Sequence, residues 1–268
     1  MQVLYINLAR RRDRNERFLK TNSAIADFRR WEGVDGQDLR VEDLVRGDVL
    51  AEPLRSYTPG ALGVAVSHRQ IWEHCVAAGA TVTAAEDDAV FNRHFADKAA
   101  GVLAALPSDW DIVLWGWNFD VMLHVDLMEG MKQSVMWFDT AALGPRLCEF
   151  QDRDYDVLPM RLLGAYGLVS YSVSPAGAMR LLKSCFPLKK ERVPIAGLRR
   201  SLPNTGIDTV MNKYYRQMKS YVSFPPLVWT ENDKRTSDIH PRAFWAVRWW
   251  NSLLDRAGIA ASAPRKYR

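Results

Sequence analysis

The sequence predicts an α/β protein in which helices flank a largely parallel sheet. Short apolar runs that are typical of strands alternate with stretches whose apolar residues recur at helical spacing. A chain of 268 residues is long enough to bury the core of one large α/β domain or of two small ones. Because ligands of such sheets bind beyond the carboxyl ends of the strands, functional residues are expected there.

Apolar runs mark the strands of this sheet. The first is VLYINL, and the clearest of the later ones is AYGLVSYSV. A segment that contains two prolines is expected to be an edge strand or an extended stretch, since proline cannot donate to a sheet. The predicted strands cover residues 3–8, 81–85, 111–117, 165–173 and 222–229.

Helices are predicted between these strands. Residues 61–78 place several apolar side chains on one helical face. Ser174 and Pro175 supply an N-cap and a first-turn proline for a helix that runs to about Cys185. Asp208 is expected to cap a helix that ends near Gln217. The other helix begins within residues 13–20, whereas residues 189–203 are predicted to be a basic loop and 118–160 an inserted loop region without a clear period.

Charge and cysteine content limit the functional classes. The net charge is +5, with +4 in residues 1–20, +5 in residues 241–268 and −4 between them. Three widely spaced cysteines argue against a disulfide framework or a zinc site and suit a reducing compartment. No signal peptide or membrane-spanning run is visible, which predicts a cytoplasmic protein. No zinc-finger spacing, aromatic ribonucleoprotein motif or helix-turn-helix is present, so no nucleic-acid partner is expected.

Three adjacent carboxylates, Glu86, Asp87 and Asp88, follow the strand predicted at residues 81–85. Like charges this close repel, so the cluster indicates a cation, most simply a divalent metal that holds phosphates. Alternation along an extended chain would put Glu86 and Asp88 on one face and Asp87 on the other. A solvated acidic turn is the alternative explanation.

Several segments together resemble glycosyltransferase family 25, the group that includes bacterial lipooligosaccharide galactosyltransferases and, more distantly, collagen galactosyltransferases. They span nearly the whole chain in the family's order. The segments are YINLARRRDR (5–14), GALGVAVSHRQIW (60–72), AEDDAVF (85–91), GAYGLVSYSVSPAGAMRLL (164–182), GIDTVM (206–211), FPPLV (224–228) and SDIH (237–240). Val64 departs from the cysteine that members often have there, and the 118–160 segment matches poorly.

The resemblance implies a GT-A-like, Rossmann-type mixed sheet, a UDP-sugar donor, a divalent cation (Mn²⁺ or Mg²⁺) and inversion at the anomeric carbon. Asp88 is then expected to bind the metal, with His240 as a further ligand, and Asp208 to act as general base. The structural alternative for His240 is a surface histidine, and that for Asp208 is a helix N-cap. The residues expected to contact the donor are Asn7, Leu8, Arg10, Arg14, Ser67, His68, Glu86 and Asp87.

The expected function is transfer of a hexose, most simply galactose, from a UDP-sugar to an oligosaccharide or glycolipid acceptor in lipopolysaccharide or lipooligosaccharide synthesis. A catalytically silent nucleotide-sugar-binding subunit is the alternative, and a metal-dependent phosphohydrolase is a third.

Residues 1–240 are expected to form the glycosyltransferase domain, with 118–160 on the acceptor side. Residues 241–268 form a basic, aromatic tail. The tail either lies on an anionic membrane surface, which would make the protein peripheral on the inner face of the cytoplasmic membrane, or docks on the domain.

Overall fold

The computed structural model describes residues 1–23, 25–128, 130–138, 146–195 and 200–230. Its main feature is a sheet of nine strands, accompanied by two small two-stranded sheets. In chain order the strands are β1 (Gln2–Asn7), β2 (Asp27–Glu32), β3 (Val82–Glu86), β4 (Ala89–Phe91), β5 (Ile112–Gly116), β6 (Leu123–Asp126), β7 (Gln133–Met136), β8 (Leu158–Gly164), β9 (Ser170–Val173), β10 (Arg192–Ile195), β11 (Arg200–Pro203), β12 (Ser220–Phe224) and β13 (Val228–Thr230).

In the described part of the chain, helices lie in six of the twelve connections between consecutive strands. Two of them begin with a capped, proline-containing first turn, as the sequence predicts for the helix after Ser174: the Ser174 side chain accepts a hydrogen bond from the Gly177 amide, and Thr58 does the same for Ala61. The helices are α1 (Arg12–Thr21), α2 (Val41–Arg46), α3 (Pro59–Ala78), α4 (Phe95–Ala105), α5 (Leu147–Asp152), α6 (Pro175–Cys185) and α7 (Ile207–Met211).

The order of the strands in the large sheet is β2-β1-β3-β9-β5-β12-β8-β6-β7. β1 pairs in parallel with β2 and β3, and β5 with β12, whereas β9 runs antiparallel between β3 and β5. The remaining pairs, from β12 to β7, are antiparallel. This mixed α/β sheet, with helices packed on it, confirms the predicted fold class. It is less parallel than predicted, since three of its eight strand pairs are parallel and five are antiparallel. The carboxyl ends of β1, β3 and β5 share one edge of the sheet.

Each face of the sheet buries a separate apolar core. Along β1, Leu4 packs toward α3 and α6, while its neighbour Tyr5 packs toward α1 and α4. β5 repeats the alternation with Leu114 and Trp115. This period of two is what a strand covered by helices on both faces requires. The sheet is therefore the middle layer of three.

Several predictions about the connecting regions are wrong. Residues 222–229 were expected to be an edge strand or an extended stretch, but they contain the end of β12, which lies in the interior of the sheet, and most of the separate β13. The prolines follow β12, so they remove none of its hydrogen bonds with β5 and β8. The described part of 118–160 is not a loop, since β6, β7 and the start of β8 extend the sheet there. Residues 189–203 contain the hairpin β10–β11. Among the helices of the described residues, none is long and apolar enough to cross a bilayer.

The loop after β2 approaches α3 at the distance of backbone contact. A Cβ atom on Gly63 would lie 2.4 Å from the Val34 carbonyl oxygen, and one on Gly36 would lie 1.6 Å from the Pro59 carbonyl oxygen. Only glycine fits at either position without a shift of the backbone. The loop is therefore held directly on the N-terminal half of α3.

Gly63→Ala should lower the free energy of unfolding by about 1–3 kcal/mol, because the added methyl group overlaps the backbone at Val34. Gly101 is the matched control. It also lies within a helix, but a Cβ atom there would have no neighbour within 4 Å. Gly101→Ala should raise the free energy of unfolding by about 0.5–1 kcal/mol. Urea denaturation measures both, and equal effects of the two substitutions would contradict the close packing.

Candidate functional site

A cleft of about 290 Å³ opens at the sheet edge where β1, β3 and β5 end. Its walls come from the residues that follow these strands, from the loop that precedes β9, from the N-terminal half of α3 and from the start of α7. This is where ligands of open α/β sheets bind. The predicted site residues among those that line it are Leu8, Arg10, Arg14, Ser67, His68, Glu86, Asp87, Asp88 and Asp208.

The acidic cluster is neutralised by Arg14 of the same chain. Its Nη2 atom lies 2.5 Å from Asp87 Oδ1 and 3.3 Å from Asp88 Oδ2, and only 13% of the Arg14 side chain is exposed. The alternation predicted for the cluster is therefore wrong, because Asp87 and Asp88 turn toward one guanidinium where the chain leaves β3. Arg14 therefore supplies at least part of the positive charge that the repulsion between these carboxylates requires.

Asn7 supports Asp87 from beneath. It is buried at the end of β1, and its Nδ2 atom donates to Asp87 Oδ2 over 2.7 Å. Arg30 on β2 in turn donates to Asn7 Oδ1 over 3.1 Å. Asn7 does not line the cleft, so its position suits an indirect role. By contrast, Asp88 Oδ1 is buried and has no hydrogen-bond partner in the described part of the chain.

Glu86 ends β3 and faces the same cleft. Burial raises the pKa of its carboxyl group to about 8, and the nearby charge of Asp88 acts in the same direction. The Arg14 guanidinium lowers this pKa but does not offset the burial. Arg14 therefore offsets the negative charge of Glu86 and Asp88 only in part, and both carboxyl groups are available to a positively charged ligand.

Asp208 contributes a further carboxylate from α7. Its Oδ2 atom accepts a hydrogen bond from the Gly167 amide over 2.9 Å, and its Oδ1 atom accepts one from the Thr209 amide over 2.8 Å. The predicted N-cap role is wrong, because the N-cap is Gly206 and the helix ends at Met211 rather than near Gln217. Gly167, which donates to Asp208, has a φ of +80°, a value that favours glycine.

Ser67 and His68, the two residues of α3 that were predicted to contact the donor, differ in the hydrogen-bonding capacity that they retain. Ser67 Oγ donates to the Gly63 carbonyl oxygen over 2.8 Å and accepts from the Val34 amide over 2.9 Å, so it fixes the loop that packs on α3. His68 is fully buried, and its Nε2 atom has no partner among the described residues. His68 therefore retains a polar atom for a ligand.

Arg10 and Leu8 lie where the chain leaves β1. Arg10 forms an ion pair with Asp35 of the loop after β2, and 42% of its side chain is exposed. Leu8 supplies apolar wall next to it. Both positions are compatible with contact to a bound nucleotide.

Several cleft residues were missed from the sequence. Asn118 follows β5, so the rule that ligands bind at carboxyl ends of strands could have identified it. Asp35 and Thr205 lie on loops, where periodicity gives no signal.

Trp115 and Trp117 are fully buried, which excludes them as exposed platforms for sugar stacking. His240 and the tail at residues 241–268 lie outside the described residues.

Comparison with known proteins assigns the family. The model of "Glycosyltransferase family 25 (LPS biosynthesis protein)" matches residues 1–196. This chain belongs to glycosyltransferase family 25. Over 202 residues it is 29% identical to procollagen galactosyltransferase 1 of Danio rerio, and the alignment covers 70% of this chain and 29% of that protein. Over 121 residues it is 29% identical to the "Putative glycosyltransferase R655" of Acanthamoeba polyphaga mimivirus, and the alignment covers 43% of this chain and 37% of that protein. The family 25 chain thus spans well under half the length of these relatives.

The residues of this family 25 cleft fit a hard divalent cation with few protein ligands. Asp88 Oδ1 is a buried carboxylate oxygen that no hydrogen-bond donor of the described residues contacts, and Glu86 lines the cleft with it. Within the described ranges, no group of three or more His, Cys, Asp or Glu side chains is arranged to hold a metal. Mg²⁺ and Mn²⁺ suit such a site, because they accept one or two carboxylates and take their other ligands from water and phosphate.

Glu86 should make the stability of this family 25 protein depend on pH. Its pKa is raised from 4.5 to about 8 in the folded state, so between these pH values the folded protein holds a proton that the unfolded chain has released. The resulting stabilisation is complete below about pH 4.5 and is lost as the pH rises through 8. Glu86→Gln should remove this loss and raise the free energy of unfolding at pH 8.5 by about 1–3 kcal/mol relative to the wild type.

Urea denaturation between pH 5 and pH 8.5, with EDTA present, measures this dependence. Glu16→Gln on the exposed face of α1 is the control and should keep the wild-type slope. A Glu86→Gln protein whose stability changes with pH as the wild type does would contradict the assignment.

Proposed function

We propose that this chain is a metal-dependent, inverting glycosyltransferase that moves a hexose, galactose, from a UDP-sugar to an oligosaccharide or glycolipid acceptor. One observation carries the proposal: in a family 25 chain, the Glu86–Asp88 cluster and Asp208 come from separate elements and line one cleft at the carboxyl edge of the sheet. The relative from Danio rerio is named a galactosyltransferase, which supports galactose as the sugar.

Asp88, with Glu86 beside it, would hold Mn²⁺ or Mg²⁺ through its unpaired Oδ1 atom. Such a cation, when bound, stabilises the negative charge on a departing diphosphate. His240 is the proposed further ligand. Arg14 and Arg10 offer guanidinium groups for phosphate oxygens, and Arg14 already lies next to Asp88. The acidic cluster and the arginines together form the proposed subsite for the diphosphate.

Asp208 is the proposed general base. In a single displacement, the acceptor hydroxyl oxygen forms a bond to the anomeric carbon, the bond from that carbon to the UDP oxygen breaks, and the hydroxyl proton passes to Asp208. Two backbone amides fix the carboxylate of Asp208, so little reorganisation is needed when it accepts the proton.

The donor and the roles of the two aspartates can be tested together. UDP release is measured with UDP-galactose, UDP-glucose and UDP-N-acetyl sugars, with Mn²⁺ or with EDTA. Asp88→Ala should abolish the metal-dependent part of donor binding. Asp208→Asn should leave donor binding near the wild-type level and lower turnover by about 10²- to 10⁴-fold, as expected for loss of a general base.

Asp97→Asn is the matched control, since this aspartate is exposed on α4 away from the cleft, and it should behave as the wild type. Near-normal turnover of Asp208→Asn would reject Asp208 as the base. Donor binding without UDP release, in the presence of acceptor extracts, would instead favour a silent nucleotide-sugar-binding subunit.

The family description supports an acceptor in lipopolysaccharide or lipooligosaccharide synthesis, and the sequence of the tail supports a membrane surface as the place of action. Residues 241–268 contain six Arg or Lys and a single acidic residue, Asp255, interleaved with aromatic side chains. We infer a peripheral position on the inner face of the cytoplasmic membrane. This position would bring the cleft to a lipid-linked acceptor.

Deletion of residues 241–268 should reduce sedimentation with vesicles that contain anionic phosphatidylglycerol, because the basic and aromatic side chains are lost. Vesicles of phosphatidylcholine alone are the control and should pellet less of the full chain. Equal, negligible pelleting of the full and shortened chains would reject the membrane role.

A further inference from the structure

His68 is placed by two buried side chains of the large core. Its Nδ1 atom lies 3.0 Å from the Tyr171 hydroxyl oxygen, on β9. Trp72, one helical turn after His68 on α3, donates from Nε1 to the same oxygen over 3.0 Å. All three side chains are fully buried, while His68 also forms part of the cleft wall.

The hydrogen-bonding capacities of these groups determine the tautomer of His68. An indole N–H is only a donor, so the Tyr171 oxygen accepts from Trp72. If His68 Nδ1 carried a proton, it would donate to the same oxygen, and the Tyr171 proton would be buried without an acceptor. If Nδ1 is bare, Tyr171 donates to it, and the Nε2–H is then the one group of the series without a partner among the described residues. The other tautomer leaves two such groups, the Tyr171 proton and the bare Nε2 atom. The proton of His68 is therefore on Nε2.

Nε2 is the ring nitrogen of His68 that has no hydrogen-bond partner within the described residues. We propose that Trp72 and Tyr171 are positioning residues that fix His68 as a neutral Nε2–H donor, and that this N–H binds an acceptor oxygen of the nucleotide-sugar donor. The inference rests on the proposed function and deepens it. The oxygen belongs either to the nucleoside diphosphate or to a sugar hydroxyl. Both offer the same chemistry to an N–H group.

Burial keeps this donor neutral. It lowers the pKa of His68 to about 3, so the ring carries no charge at neutral pH. A neutral N–H fixed in direction differs from Arg10 and Arg14, which attract any phosphate oxygen by charge. His68 would therefore bind an oxygen at one fixed position by a directed hydrogen bond, and not by charge.

The tautomer can be measured without any ligand. In the full chain labelled with ¹⁵N at histidine, the His68 resonances, assigned by their loss in His68→Gln, should show protonated Nε2 and bare Nδ1 from pH 5 to pH 8. Tyr171→Phe should lose this single tautomer. Ser172→Ala should keep it, although it also removes a buried hydroxyl that accepts from a tryptophan, Trp115 Nε1. Protonated Nδ1 in the wild type, or an unchanged tautomer in Tyr171→Phe, would overturn the inference.

Calorimetric titration then tests the contact with the ligand. A glutamine amide reaches the position of Nε2, whereas an asparagine amide reaches only that of Nδ1. His68→Asn should weaken UDP-galactose binding about tenfold, and His68→Gln should recover most of it. A loss that also appears with UDP assigns the oxygen to the nucleoside diphosphate, and a loss confined to UDP-galactose assigns it to the sugar. Wild-type affinity in His68→Asn would overturn the contact. A wild-type protein that binds no UDP-sugar would reject the proposed function, while the tautomer measurement would still test the positioning role.

Discussion

The carboxylates of Asp87 and Asp88 converge on the guanidinium of Arg14 where three elements of the fold meet. Arg14 belongs to α1, the aspartates follow β3, and Asn7 at the end of β1 bonds Asp87 from below. Buried charges of one sign are costly unless they are paired. The turn that shapes the cleft can therefore form only when α1 is packed on the sheet. Stability and the electrostatics of the site depend on the same ion pairs.

This arrangement also changes the meaning of the acidic cluster. From the sequence, three adjacent carboxylates indicate a metal, because nothing nearby in the chain is an obvious partner. Arg14 lies more than 70 positions earlier, and only the pairing of β1 with β3 brings it close. The metal hypothesis then depends on the oxygen that Arg14 leaves unpaired, Asp88 Oδ1.

The sequence predicted best the features that depend on local patterns. Apolar runs located β1, β3, β5 and β9 within a few residues, and the capped proline turn located α6. The predictions from sequence were wrong where contacts between distant parts of the chain determine the position of a strand. β12 is interior despite its neighbouring prolines, and β8 pairs with β12 and β6, which are both distant in the chain. For the site, resemblance identified residues that the cleft brings together, such as Asp208 and His68. Local pattern could not reveal that the Gly167 amide, 41 positions earlier in the chain, bonds Asp208.

The short segment that precedes β9 connects the two acidic parts of the cleft. The Glu86 amide donates to the Val169 carbonyl oxygen over 2.9 Å, and the Gly167 amide donates to Asp208 over 2.9 Å. Two backbone positions, two residues apart, thus set the spacing between the proposed diphosphate subsite and the proposed base. An inverting displacement requires that spacing to be fixed, because the nucleophile and the leaving group must occupy opposite sides of one carbon. The segment meets this requirement because its backbone bonds both the end of β3 and the Asp208 carboxylate.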